Sequence, residues 1–86
     1  MMIPPDELLV LRHAAPELNG DVFRPLNERL LAMKADVLRT RVTRALNGLV
    51  GRGVLLRQLQ ERIGWDRYQL NGEHPAVRAV RGGRTE

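Results

Sequence analysis

Thr40, Thr43, Arg44 and Asn47 recur at spacings that put them on one side of an α-helix, with Arg41 and Gly48 on its flank. These side chains share one kind of chemistry. An arginine fork pairs with phosphate oxygens or with guanine O6 and N7, an asparagine amide bonds adenine, and a threonine reaches a phosphate or a thymine methyl. Arg39, at the expected helix start, lies where free backbone N–H groups also favour an anion. Residues 39–67 carry Arg39, Arg41, Arg44, Arg52, Arg57, Arg62 and Arg67 against only Glu61 and Asp66. Lys34 is the only lysine among 14 basic residues, so nearly all the positive charge sits on groups that can bind bidentately. The chain's net charge is +4, and this excess of positive charge, concentrated in one stretch of a short chain, points to a polyanionic partner. The competing reading is an arginine-rich chain with an ordinary solvated face.

The same inventory removes other chemistries. The chain has no cysteine and no serine, so disulfides, thiolate metal sites and thiol or serine nucleophiles are all excluded. His13 and His74 are far apart and lack ligand spacing, and the carboxylates are not paired for acid–base work. Gly48 to Gly53 lacks the Lys-Ser/Thr that a phosphate loop requires. No enzyme and no cofactor is expected. The longest apolar runs, such as Leu8 to Leu11, fall far short of the roughly 20 residues of a membrane span. No basic stretch precedes Met1-Met2-Ile3-Pro4-Pro5, so no secretory signal is read and a cytoplasmic location is expected.

These residues need elements to hold them. With 86 residues, 43% apolar and 28% charged, the chain suits one small globular domain. Pro4-Pro5 leads in, Asp6 is the expected N-cap, and Leu8 to Leu11 with Ala14 and Ala15 form a first helix that Pro16 stops. Asn19-Gly20 marks a turn, and Val22 and Phe23 precede Pro25, which suits the first turn of a second helix. That helix's buried stripe is expected to be Leu26, Leu30, Leu31, Met33 and Ala35. A third helix starts near Leu38, with Val42, Ala45, Leu46 and Leu49 on its inner face and Gly51 and Gly53 at its end. Residues 54–59 and 67–70 read as two strands of a hairpin, joined by the polar, glycine-containing loop 60–66 and followed by Asn71-Gly72, which ends it. Residues 75–80 read as a last short helix or an extended segment, and 81–86 as a disordered basic tail.

The second and third helices pass the spacing test of a helix-turn-helix. Ala32 is the small residue at the crossing, Leu31 and Ala35 flank it, and Val37 follows at the turn. Asp36 stands where glycine is common, so a longer or differently shaped turn is expected. The segment Arg41-Val42-Thr43-Arg44-Ala45-Leu46-Asn47-Gly48-Leu49-Val50-Gly51-Arg52-Gly53-Val54-Leu55 resembles the recognition-helix-into-wing segment of ArsR-like and MarR-like regulators. Tyr68-Gln69-Leu70-Asn71-Gly72-Glu73-His74-Pro75 is similar to the end of the wing in the same group. The resemblance spans residues 28–77. Three helices followed by a hairpin are the layout of a winged helix, so a mainly α fold with a small β-hairpin (α+β), a three-helix winged helix-turn-helix domain over residues 1–80, is expected, although the first helix carries no hallmark of the family.

The resemblance implies a sequence-specific regulator binding double-stranded DNA, with Thr40, Arg41, Thr43, Arg44 and Asn47 facing the major groove. Arg39, Arg57, Arg62 and Arg67 complete the expected DNA-binding set, Arg62 as the wing-tip contact and Arg57 and Arg67 steering by charge. A homodimer is expected because operators are usually two-fold, with the first helix and residues 75–80 as its surfaces. The alternative is a winged helix that docks on a protein partner through Leu9, Val10, Ile63 and Trp65. Trp65 has two readings, a wing-tip aromatic that wedges at DNA or a partner and a hairpin residue that folds back on the body, the second being favoured; Tyr68 is expected to pack against the third helix.

Overall fold

The computed structural model describes residues 3–18, 22–60 and 64–82. Helix α1 (Pro5–Ala14) starts one residue before the expected cap: Pro4 takes the N-cap position and Pro5, with its preset φ and no N–H to satisfy, opens the helix. Asp6 and Glu7 therefore lie in the first turn, where their charge complements the helix dipole. A 3₁₀ turn, Ala15–Glu17, ends this region.

Pro25 is not helical. It belongs to the two-residue strand β1 (Arg24–Pro25), at the edge of a sheet where a missing N–H is tolerated. The second helix, α2 (Glu28–Ala35), begins later because Asn27 caps it, its Oδ1 accepting the Leu30 N–H at 3.2 Å. Leu26, Leu31 and Ala32 are buried as their spacing predicts. Leu30 and Met33 are not: both face outward, Met33 at 72% exposure. A helix as short as α2 covers its neighbours with a narrow arc, and Leu31 and Ala32 fill it.

Asp36 ends α2 in the left-handed region, at φ 58° and ψ 49°. The Val37 N–H reaches back to the Ala32 carbonyl at 3.1 Å, so the turn closes as tightly as a glycine would close it. The short aspartate side chain makes this conformation affordable, and the turn is not lengthened. Helix α3 (Arg39–Gly51) follows directly. It ends in the same manner at Gly53 (φ 79°), with Val54 N–H on the Leu49 carbonyl at 2.9 Å.

Strands β2 (Leu55–Gln58) and β3 (Arg67–Leu70) form the hairpin, and β1 pairs with β3 to give an antiparallel sheet in the order β1-β3-β2. Asn71 ties the end of the hairpin to its beginning: its Nδ2 donates to the Gly53 carbonyl at 2.8 Å and its N–H to that of Val54 at 3.0 Å. Residues 75–82 are helical, the first of the two readings of 75–80, so α4 (Pro75–Gly82) joins the three helices of the winged layout and takes in the first two residues assigned to the tail. The His74 Nδ1 accepts the Ala76 N–H at 3.0 Å and so caps this helix. The described residues thus form an α+β unit of four helices and a three-stranded antiparallel sheet. The turn expected at Asn19-Gly20 and the tail residues 83–86 lie outside the described residues.

One core runs through the unit. Val10, Leu11 and Ala14 of α1 meet Leu31, Val42, Ala45, Leu46 and Leu49 of α2 and α3, with Leu55, Tyr68, Leu70 and Val77 closing the other side. Helix α1 is therefore committed to the core, and Val10 is not available as a docking residue. Leu9 is half-buried and Ala79 of α4 is exposed.

The α1–α3 contact has a polar clamp. Glu7 is largely buried, and its carboxylate accepts from Arg52 Nε at 2.8 Å. It lies against Gly48, where an added Cβ would strike the carboxylate. Gly48→Ala is expected to stabilise less in the native background than helix propensity alone allows, since the mobile end of the Glu7 side chain must shift away from its place beside Arg52. In a Glu7→Ala background the same change should stabilise by about 0.5–1 kcal/mol, the ordinary helix-interior advantage of alanine. Urea denaturation of the four proteins measures this coupling. Equal stabilisation in both backgrounds would remove the clamp from the account.

Candidate nucleic-acid interface

The inner residues of α3 alternate with an outer face in the spacing the sequence predicts. Val42, Ala45, Leu46 and Leu49 are buried, while Arg39, Thr40, Arg41, Thr43, Arg44 and Asn47 are all exposed. Thr40, Arg44 and Asn47 form the centre of that face, opposite the core. The two flanks are engaged with neighbouring helices. On one, Arg41 approaches the Asp6 carboxylate of α1 at 3.7 Å, an exposed pair. On the other, the Thr43 hydroxyl donates to the Glu28 carboxylate of α2 and also lies 3.2 Å from the Arg39 carbonyl. Among the described residues, no hydrogen bond or ion pair engages the side chains of Arg39, Thr40, Arg44 or Arg67. Four groups with strong hydrogen-bonding capacity are thus left for solvent or a ligand.

Arg57 differs from its expected role. It is half-buried rather than displayed for steering, and its Nη1 donates to Asn47 Oδ1 at 2.6 Å. The contact joins β2 to α3 across ten positions of sequence, and no local pattern could have announced it. Directly across the ladder from Arg57 is Tyr68, buried as expected. Burial pushes the Tyr68 phenol above its ordinary value of 10.0, and the Arg57 guanidinium beside it pulls partly in the other direction.

The rise has a direct consequence for stability. The folded state holds the phenolic proton more tightly than the unfolded chain, so this contribution is intact below about pH 10 and is lost as pH rises through the folded value. Stability should fall above pH 10 in the native protein and less steeply in Tyr68→Phe. Because Tyr68 is the only tyrosine, tyrosinate absorbance follows its titration directly. A Tyr68 that titrates at 10.0 or below would contradict its buried placement.

Arg67 is exposed at the start of β3, and Arg62 lies outside the described residues. Trp65 does not fold back: it is 50% exposed, and Leu59, on the neighbouring stretch of hairpin, is 69% exposed. Ile63 lies outside the described residues. Leu38, the N-cap of α3, is also displayed at 70% exposure. It precedes the helix, so the 3.6-residue period carried no information about it. An open depression at the α2–α3 turn is lined by Asp36, Val37, Leu38 and Arg41.

Among the described residues no three His, Asp or Glu side chains converge as metal ligands, and no helix is long and apolar enough to cross a membrane. A scan of the chain against protein-family profiles, and searches among curated proteins and solved structures, returned no match.

Proposed function

We propose that this chain is a winged helix-turn-helix domain that binds double-stranded DNA, as a sequence-specific regulator, through the outer face of α3. Helix α3 enters the major groove, and the β2–β3 hairpin is the wing that lies on the flanking backbone. The observation that carries this reading is the division of α3 itself. Its inner face is fully spent on the core, while Thr40 and Arg44, with Arg39 at its start, are exposed and free of partners among the described residues. The left-handed turn at Asp36 holds α2 and α3 in the short connection that a helix-turn-helix requires. Two copies acting on a two-fold site would place their α3 helices about 34 Å apart, one turn of DNA.

Fluorescence anisotropy of a labelled duplex, titrated across salt concentrations, tests the proposal. Binding should weaken linearly in log–log form, with a slope of about −2.7 to −4.5 for three to five neutralised phosphates. No salt-dependent binding at low ionic strength would reject it.

A second reading has one specific observation in its favour, the exposed Leu59 and Trp65 on the hairpin. These fit a protein-docking module. In that case Trp65→Ala abolishes function while Arg44→Ala and Asn47→Ala leave it intact.

A further inference from the structure

The Arg57–Asn47 contact fixes more than the position of the hairpin. A guanidinium carries five donors and no acceptor, so the amide atom it meets at 2.6 Å must be the carbonyl Oδ1. The amide cannot turn over without setting its own N–H2 against a cation. Arg57 is itself restrained, half-buried in its strand beside the buried Tyr68. Asn47 therefore presents its Nδ2 donors to whatever lies outside α3.

This bears on which base it selects. The usual asparagine contact to adenine is bidentate: the amide oxygen accepts from N6 while the amide nitrogen donates to N7. Here the oxygen already serves a charged donor, and the adenine amino group would have to approach it beside a guanidinium. Guanine offers only acceptors, O6 and N7, on the same edge. Both the free Nδ2 donors and the positive charge of Arg57 favour that edge.

Resting on the DNA-binding reading above, we propose that Arg57 is a positioning residue that locks Asn47 as a hydrogen-bond donor and turns its preference from adenine to guanine. Arg57 sets this specificity through Asn47 without touching the base.

Selection of bound sequences from a randomised duplex library tests it with the native protein, Asn47→Ala, Arg57→Met and Arg57→Lys, each checked for folding by circular dichroism. The native protein is expected to enrich guanine at one position, and Asn47→Ala to lose the preference there and nowhere else. Arg57→Met frees the amide to rotate, and the guanine-to-adenine ratio at that position should fall roughly fivefold or more. Arg57→Lys, still a donor without an acceptor, should keep the guanine preference. If Arg57→Met does not fold, Arg57→Gln, which can offer its own carbonyl to the amide, should show the same shift. The inference is overturned if the native protein selects adenine at the Asn47 position. It is equally overturned if loss of the guanidinium weakens all sequences alike and leaves the profile unchanged, as a simple phosphate contact would. A native protein that enriches no duplex at all removes the DNA reading itself, a result distinct from an unchanged profile.

Discussion

Arg44→Ala is expected to weaken binding to the preferred duplex by about 1–3 kcal/mol, roughly five- to 150-fold, and to relax the preference at one base pair. Arg44 lies at the centre of the exposed face of α3, and no other side chain among the described residues shares its guanidinium. Its fork is therefore available without first breaking an internal bond. The contrast is with Arg41, whose charge is partly answered by Asp6; Arg41→Ala should cost less and act more evenly across sequences. Anisotropy titrations on the selected duplex and on a scrambled one separate the two effects. Because Arg44 supports no packing, its thermal unfolding should match that of the native protein. An Arg44→Ala protein that binds both duplexes as the native one does would move the interface off this face.

Leu46→Ala carries the largest expected cost to the fold, about 2–5 kcal/mol. Leu46 is 1% exposed, on the inner face of α3 and within the core that α1 and α2 complete. A domain of this size holds only about 5–10 kcal/mol in total, so such a loss leaves a large unfolded fraction and takes the α3 surface with it. Met33→Ala supplies the control. Sequence spacing assigns both residues to buried stripes, yet Met33 faces outward, and its truncation should change stability by no more than about 0.5 kcal/mol. Urea titrations of the two variants decide between the arrangements; a large loss from Met33→Ala would mean that α2 is rotated from the position described.

That contrast marks how far the sequence could be read. Helix α3 was legible because Val42, Ala45, Leu46 and Leu49 repeat with the helical period over its whole length, and Gly53 closes it in the conformation glycine favours. The hairpin was legible from its change of period. Strand β1 was not: Arg24–Pro25 is extended because β3 lies beside it, and two residues carry no pattern of their own. In α2 the apolar residues outnumber the positions the core can accept, so spacing alone could not say that Leu30 and Met33 face outward. The outer face of α3 was predicted residue by residue, and its exposure agrees. What sequence could not reach were the side-chain contacts between elements. Glu7 with Arg52, Thr43 with Glu28 and Asn47 with Arg57 are separated by 45, 15 and 10 positions, and they depend on how helices cross.

Amide chemical-shift mapping during titration with a duplex, at about 50 mM salt where phosphate contacts remain strong, locates the DNA-binding face of this protein. The largest shifts are expected on residues 39–47, with smaller ones at Arg57 and Arg67, while the amides of α1 and α4 stay in place. Shifts confined to α1 and α4, or to the hairpin around Leu59 and Trp65, or no shifts at all, would contradict that placement.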